Sequence, residues 1–243
     1  MLAVTATAFH ADDPLAGLRV ADVRNPSPPA GWVEVAIKAA ALTRHDIFSL
    51  QGLGLRAGEL PRILGCDGAG VDRDGNPVVV HSVIGDADAG HGDAVNDPNR
   101  SLLSERYDGT FAESVVVPAA NILAKPAELS FEEAACLPTS WLTAYRMVFT
   151  NSGTRPGDTV LIQGAGGGVS TAAIVLARAA GLQVWVTSRT EQRRAKAVEL
   201  GAHQAFEPGA RLPQRADAVI ESVGQATWAY SLRCVRPGGT IVV

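Results

Sequence analysis

Cysteine is scarce in this chain: Cys66, Cys136 and Cys234 are the only three among 243 residues, far apart and with no Cys-x-x-Cys pair. An odd, scattered set supplies neither a disulfide framework nor a thiolate metal cluster, and it fits a reducing compartment. Long hydrophobic runs are missing too. The longest apolar stretch, 172–186, is interrupted by Arg178 and Gly181 and is too short for a bilayer. The N-terminus, Met1-Leu2-Ala3-Val4-Thr5, has no basic region and meets Asp12 and Asp13 before an apolar core forms, so it does not read as a signal peptide. No basic run stands out, and 21 Lys and Arg against 25 Asp and Glu leave a net charge of −4, a poor match to a phosphate backbone. Repeats and low-complexity tracts are absent. These absences predict a cytoplasmic protein with no nucleic-acid and no membrane partner.

What remains is ordinary for a folded chain: 47% hydrophobic and 19% charged residues, at a length that suits one large or two small domains. The first half is rich in strand signals. Val33 to Lys38 alternates apolar and polar side chains, and Val78-Val79-Val80 and Ser114 to Pro118 are short β-branched runs between turn residues. Gly85 to Tyr107, with several aspartates and glycines, reads as a long surface loop; its Asp86-x-Asp88 spacing fails as a calcium loop because the required central glycine is His91. After Lys125-Pro126 the texture changes. Ser130-Phe131-Glu132-Glu133 is a capping box, and from Gly157 strands and helices alternate: 159–163, 168–180, 183–187, 191–200, 204–206, 216–221, a helix from Gln225, and 239–243. That rhythm predicts parallel βαβ units, in which Val169, Ala173, Leu176 and Ala180 form the sheet-facing stripe of the first helix.

The turn between the first of these strands and its helix carries the chemistry. Thr159 to Gln163 runs into Gly164-Ala165-Gly166-Gly167-Gly168-Val169-Ser170. Glycines there let the backbone approach a pyrophosphate, whose charge is met by free amides and the positive end of the helix dipole. No register supplies all three glycines of the dinucleotide fingerprint: beginning at Gly164 leaves Val169 last, and beginning at Ala165 leaves Ser170 last. The second strand ends in Ser188-Arg189, where an NAD site would hold an acidic residue on the ribose. A hydroxyl and a guanidinium, backed by Arg193, Arg194 and Lys196, suit a 2′-phosphate instead and point to NADP(H). Some of the three helix cations also serve as an ordinary solvated face.

Taken together, the β-rich first half, Leu142-Thr143-Ala144-Tyr145, Gly153 to Ile162, the glycine turn, Glu199-Leu200-Gly201-Ala202 and Pro237-Gly238-Gly239-Thr240 resemble the medium-chain dehydrogenase/reductases, and within them the quinone oxidoreductase-like and zinc-binding dehydrogenase branch. The resemblance covers essentially the whole chain. It implies an α/β protein: a GroES-like, mostly β catalytic domain over 1–124 and a Rossmann domain, a doubly wound parallel sheet, over 125–243, with substrate and nicotinamide meeting between them. It implies further that the chain, ending at Ile241-Val242-Val243, is truncated after the fifth strand, and that a homodimer is possible where the missing C-terminal segment is present.

The same resemblance bears on metal. The family's zinc-ligand positions correspond to Thr43, to Cys66 (with Asp67 beside it) and to Thr139, and neutral hydroxyls are poor Zn²⁺ ligands, so no metal is expected. A rearranged site of His45, Cys66 and Asp67 is the route by which zinc remains open. Without metal, hydride delivery from NADPH to a quinone, an enone or a related carbonyl compound suits the site. Thr43 and His45 are the catalytic candidates, as hydrogen-bond donor and proton source; His45 is equally well read as a packed or surface histidine. Asp46 reads as an orienting group and Cys66 as a buried apolar residue. The cofactor-binding candidates are Thr139, Thr143, Gly164, Gly166, Gly167, Gly168, Val169, Ser188, Arg189, Arg193 and Val223. Trp141 is the tryptophan best placed for substrate contact. Two alternatives stay open: a zinc-dependent alcohol dehydrogenase, and a catalytically silent NADPH-binding or interaction fragment.

Overall fold

Short β-branched runs punctuated by glycine and proline build the first half of the computed structural model, which describes all 243 residues. β1 (Leu2–Ala6) pairs antiparallel with β2 (Leu18–Asp22), and β3 (Trp32–Ala41) leads into the helix α1 (Arg44–Leu50). β4 (Arg62–Ile63), β5 (Asp67–Asp72), β6 (Pro77–Val80), β7 (Val83–Ile84), β8 (Ser101–Leu102), β9 (Ser114–Pro118), β10 (Ile122–Ala124) and α2 (Phe131–Ala135) follow. The main sheet has the order β10-β6-β5-β3-β9 and every pairing in it is antiparallel. Its alternation brings Val35, Val78, Val80, Val115 and Val117 into one core with Cys66.

The segment expected to be a surface loop is partly structural. β8 pairs with β7, and Leu103 just beyond it enters the valine core with no exposed surface. Asp97 ties the segment by accepting from the amides of Asp86 and Asn99 at 2.8 Å each. Such side-chain-to-backbone bonds replace a sheet ladder, so hydrophobic periodicity does not register them.

The boundary between the two compact units, Met1–Thr139 and Ser140–Val243, also lies later than the expected 124/125. The reason is α2. Ser130 Oγ accepts from the Glu133 amide at 3.1 Å and Glu133 Oε2 accepts from the Ser130 amide at 2.9 Å, which starts the helix as predicted. The helix then packs Ala134 and Ala135 onto Ala69 and Val79 of β5 and β6, joining it to the first unit.

The second unit holds α3 (Leu142–Tyr145), β11 (Thr159–Ile162), α4 (Gly168–Ala179), β12 (Gln183–Thr187), α5 (Glu191–Glu199), β13 (Gln204–Phe206), β14 (Ala216–Ile220), α6 (Gln225–Cys234) and β15 (Val235–Val242). Its sheet is parallel, in the order β13-β12-β11-β14-β15, which is the doubly wound arrangement expected. β11 is buried at every position, as a central parallel strand must be; Val160, Leu161 and Ile162 each contribute ~2 kcal/mol by leaving water. β15 begins four residues earlier than the expected 239 because its register against β14 shifts between Ala216 and Ala218, with Gly238 at φ +73° inside the irregularity. The stripe on α4 is rotated from the one expected: Ser170, Ala172, Ala173, Ile174 and Ala177 are buried, whereas Val169, Leu176 and Ala180 are half-buried at the margin of the core. Small side chains on that face let the helix lie close to its neighbours. No helix is long and apolar enough to cross a membrane.

Candidate functional site

Within the second unit the strand–turn–helix is built as the sequence suggests, and the incomplete glycine fingerprint has a structural explanation. Gly164 and Gly166 both lie at positive φ, +71° and +111°. A Cβ on Gly166 would meet Arg193 Cδ at 2.9 Å. The third glycine function falls on Gly168: a Cβ there would lie 2.5 Å from Ser140 Oγ, so only glycine allows that close approach. Gly167 is the N-cap of α4, which leaves the amides of Gly168 and Val169 in the first turn without helical partners. Ser170, the last position of the register that begins at Ala165, is buried and ties the turn: its Oγ accepts from the Gly167 amide at 3.0 Å and lies 3.2 Å from the Gly164 carbonyl oxygen. A cradle of this kind, with exposed amides at a helix N-terminus and no room for Cβ atoms, fits a dinucleotide pyrophosphate.

The cations divide as the two readings allowed. Arg194 is committed, donating to the Ser188 carbonyl at 2.8 Å and pairing with Glu207 at 3.2 Å; Lys196 pairs with Glu199 at 2.9 Å. Arg189 and Arg193 are exposed and make no ion pair, and Arg193 runs alongside Gly166. The Ser188 side chain is buried, its hydroxyl donating to the Ala165 carbonyl at 3.1 Å, so it braces the turn and presents little surface to a ligand. Val223 covers Gly164, where an added Cβ would meet its Cγ2 at 2.5 Å. Thr143 lies exposed on α3, and Trp141 is half-buried against the second unit's core.

Sequence reasoning missed the group beneath this turn. Glu221 is buried, yet its carboxylate accepts from the amides of Val223 (2.8 Å) and Gly224 (3.0 Å) and the hydroxyls of Thr227 (2.8 Å) and Ser231 (2.6 Å). Burial pushes its pKa up, but these hydrogen bonds outweigh that and hold it below the ordinary glutamate value. Ser231 continues to Gln163 (2.9 Å) and Gln163 to Thr187 (2.5 Å), linking the ends of β14, β11 and β12. An acidic residue closing the apolar strand Ala216 to Ile220 was the available signal.

The first unit holds the other candidates. Thr43 caps α1; its amide donates to Asp46 Oδ2 at 2.7 Å and its hydroxyl to the same oxygen at 3.2 Å, while Asp46 Oδ1 accepts from the Gly65 amide at 3.1 Å. Asp46 thus orients its neighbours, as expected. Burial raises its pKa despite these bonds. Thr43 Oγ1 lies 3.5 Å from Cys66 Sγ, which is 3.7 Å from Thr139 Oγ1, which is 2.5 Å from Asp67 Oδ1. Two half-buried hydroxyls therefore stand over a buried thiol and a buried acid. Burial and the neighbouring Asp67 push the Cys66 thiol up to about 12, which leaves it protonated and inert. Asp67 is raised to about 7, mostly by burial, and its Oδ2 has no hydrogen-bond partner. His45 turns elsewhere: Nε2 is 3.7 Å from Glu105 Oε1 and 3.5 Å from Ser49 Oγ, so the structure does not join it to Thr43.

Known proteins agree with this architecture. The chain matches the family descriptions "Alcohol dehydrogenase GroES-like domain" over residues 29–127 and "Zinc-binding dehydrogenase" over residues 168–243. A zinc-type alcohol dehydrogenase-like protein of Schizosaccharomyces pombe is 33% identical over 235 residues, covering 87% of this chain and 66% of its own. A solved NAD-dependent alcohol dehydrogenase superposes with a TM-score of 0.89 at 35% identity, over 99% of this chain and 76% of its own. The quinone oxidoreductase of Thermus thermophilus, solved also in complex with NADPH, gives 0.77 at 29% identity over 99% and 72%. The chain belongs to the medium-chain dehydrogenase/reductase superfamily, a class of oxidoreductases whose members bind nicotinamide cofactors. It spans about two thirds, or less, of the length of such curated relatives.

Zinc is named in these descriptions, and the donors here do not fit it. Two of the positions offer threonine hydroxyls, the only thiol is held protonated, and His45 is turned toward Glu105, which also leaves the rearranged His45–Cys66–Asp67 set unassembled.

Proposed function

We propose that this chain is a zinc-independent, NADPH-dependent reductase of quinones, enones or related carbonyl compounds. The observation that carries the reading is the glycine turn of 164–168 flanked by two exposed arginines, Arg189 and Arg193, that no acidic side chain claims. A nicotinamide coenzyme bound there would supply the hydride. The first-turn amides of α4 hold its phosphates, Val223 and the glycines shape the floor, and Arg189 and Arg193 grip the 2′-phosphate, which a carboxylate after β12 would repel. The half-buried hydroxyls of Thr43 and Thr139 are the donors we assign to the reacting oxygen of a small-molecule carbonyl or quinone. Because Asp46 Oδ2 already accepts from the Thr43 amide, the longer hydroxyl contact is the one Thr43 can surrender to a substrate oxygen that gains negative charge. His45, turned to Glu105, delivers a proton by way of that carboxylate or solvent and does not touch Thr43.

Calorimetric titration with NADPH and NADH side by side tests the coenzyme, and NADPH consumption on a panel of enones and quinones tests the chemistry. Tighter NADPH binding with turnover is the expected result; equal affinities remove the role given to the arginines. The likeness to a solved NAD-dependent alcohol dehydrogenase favours a second reading, alcohol oxidation with NAD. Tighter NADH binding would select it.

A further inference from the structure

Glu221 is a buried acid to which the hydride-transfer reading gives no task, and the hydrogen bonds around it run in one direction only. A carboxylate accepts and never donates, so the Ser231 hydroxyl must give its proton to Glu221 Oε2, at 2.6 Å. Ser231 Oγ then has only lone pairs left, and Gln163 must turn its amide nitrogen toward it, at 2.9 Å. That orientation points Gln163 Oε1 at Thr187, whose hydroxyl donates to it at 2.5 Å. What remains on Thr187 Oγ1 is a lone pair, and the amide that reaches it, at 3.4 Å, is that of Gly164, the first glycine of the turn. Gln163, Thr187, Glu221 and Ser231 are all buried, so a donor mismatched anywhere along this chain would be left unsatisfied. Glu221 reaches the same glycine by a second route. Its Oε1 accepts from the Val223 amide at 2.8 Å, and Val223 is the side chain that covers Gly164. The amides of Ala165 and Gly167 are tied inward as well, to the Thr187 carbonyl at 2.8 Å and to Ser170 Oγ at 3.0 Å, which leaves those of Gly168 and Val169 for a phosphate.

We propose that Glu221 is a positioning residue for the coenzyme: through Ser231, Gln163 and Thr187 it fixes the direction of a buried relay that ends at the Gly164 amide, and through the Val223 amide it seats the side chain over that glycine, so that the turn holds its shape before the pyrophosphate arrives. The inference rests on the coenzyme reading for the identity of the ligand, whereas the direction of the relay follows from the side chains alone. Exchanging the carboxylate for an amide reverses that direction. The amide oxygen has to take the place of Oε1, which faces the amides of Val223 and Gly224, so the amide nitrogen faces Ser231. Ser231 then accepts where it used to donate, its proton turns to Gln163, and Gln163 flips so that its nitrogen donates to Thr187. The Thr187 proton loses its acceptor beside the Gly164 N–H, and the turn loses its anchor. Side-chain volume is kept throughout, so packing is not what the exchange removes.

Two readouts test it, the first without any coenzyme. In amide proton–nitrogen correlation spectra of the intact protein, the Gly164 resonance is expected to move in Glu221→Gln and in Ser231→Ala, both remote from it in sequence. It is expected to stay in place in Thr227→Val, which removes a donor to Glu221 but leaves the relay running the same way. A Gly164 resonance that does not move in Glu221→Gln overturns the inference. In calorimetric titration, Glu221→Gln, Ser231→Ala and Gln163→Met are each expected to weaken NADPH and NADH alike by about tenfold, the effect of one donor left unsatisfied under the pyrophosphate that both coenzymes share. Thr187→Val should do the same and Thr187→Ser restore the wild-type affinity. A folded Glu221→Gln protein that binds both coenzymes as tightly as the wild type also overturns the inference, because a role in packing alone would lower stability and leave affinity unchanged. Where Glu221→Gln does not fold, Ser231→Ala carries both readouts and the two Thr187 variants carry the titration, with the same outcomes deciding. A Gly164 resonance that moves as expected in a protein whose wild type binds neither coenzyme counts against the coenzyme reading and in favour of the relay.

Discussion

Replacing Asp67 by asparagine removes a buried acid whose ionisation the fold opposes, so the effect on stability must depend on pH. In the unfolded chain the carboxyl has its ordinary value of 3.8, and in the folded protein it stands at about 7. Below pH 3.8 both states carry the proton and stability is at its full value. As pH rises the unfolded chain releases its proton first, so unfolding becomes easier with each pH unit until the folded carboxyl also ionises, near 7; beyond that the loss is complete. At ~1.4 kcal/mol per pH unit across this window, the wild type loses about 4 kcal/mol that Asp67→Asn does not lose. The neighbouring Asp46 is raised in the same direction by burial, and its charge is one of the causes that hold the Asp67 carboxyl up. Hydrogen-exchange mass spectrometry on peptides from β3 and β5, corrected for the intrinsic pH dependence of exchange, reads the opening free energy of the first unit directly. The expected result is a stability difference that favours the asparagine variant increasingly from about pH 4 to about pH 8. Parallel profiles would mean that Asp67 ionises at its ordinary value, and the account of the buried cluster would fail with it.

Gly168→Ala places a methyl 2.5 Å from Ser140 Oγ, and is expected to cost about 1–3 kcal/mol of second-unit stability, about 2–10 °C in Tm by calorimetry, with much of it recovered by Ser140→Gly. Arg189→Ala and Arg193→Ala are each expected to weaken NADPH binding about tenfold while leaving NADH unchanged, since one charge-assisted contact to a phosphate contributes ~1.5 kcal/mol; calorimetric titration measures both. Brief alkylation with iodoacetamide should label the exposed Cys136 and spare Cys66, whose thiol is buried and raised to about 12; early modification of Cys66 by peptide mass mapping would contradict that environment. Ser130→Ala removes the N-cap of α2 and is expected to cost about 1 kcal/mol in urea unfolding, an effect absent if the cap bond to the Glu133 amide is not formed in solution.

How much was legible beforehand differs between the two units, for a physical reason. In the second unit local and global signals coincide: a fully buried parallel strand is an unbroken apolar run, a helix follows a capped turn, and so β12 and β13 begin and end where the alternation placed them. The glycine turn was legible as a motif but not in its register, because the third glycine answers to Ser140, a residue far back in the chain. In the first unit the decisive contacts are non-local and polar. Thr43, Cys66, Asp67 and Thr139 come from three separate stretches of chain, and no periodicity connects them. Their types could be read, since threonines stand where metal ligands would. Their chemistry could not, because the raised acid and the inert thiol follow from burial that only the assembled sheet provides. Glu221 makes the converse case: a carboxylate in the core is expensive by its residue type, yet four donors from one turn and one helix hold it ionised. Asp67 has hydrogen bonds from Thr139 alone and an orphan oxygen, and burial drives it the other way. Two buried acids in one chain thus separate by the number of donors the fold aims at each.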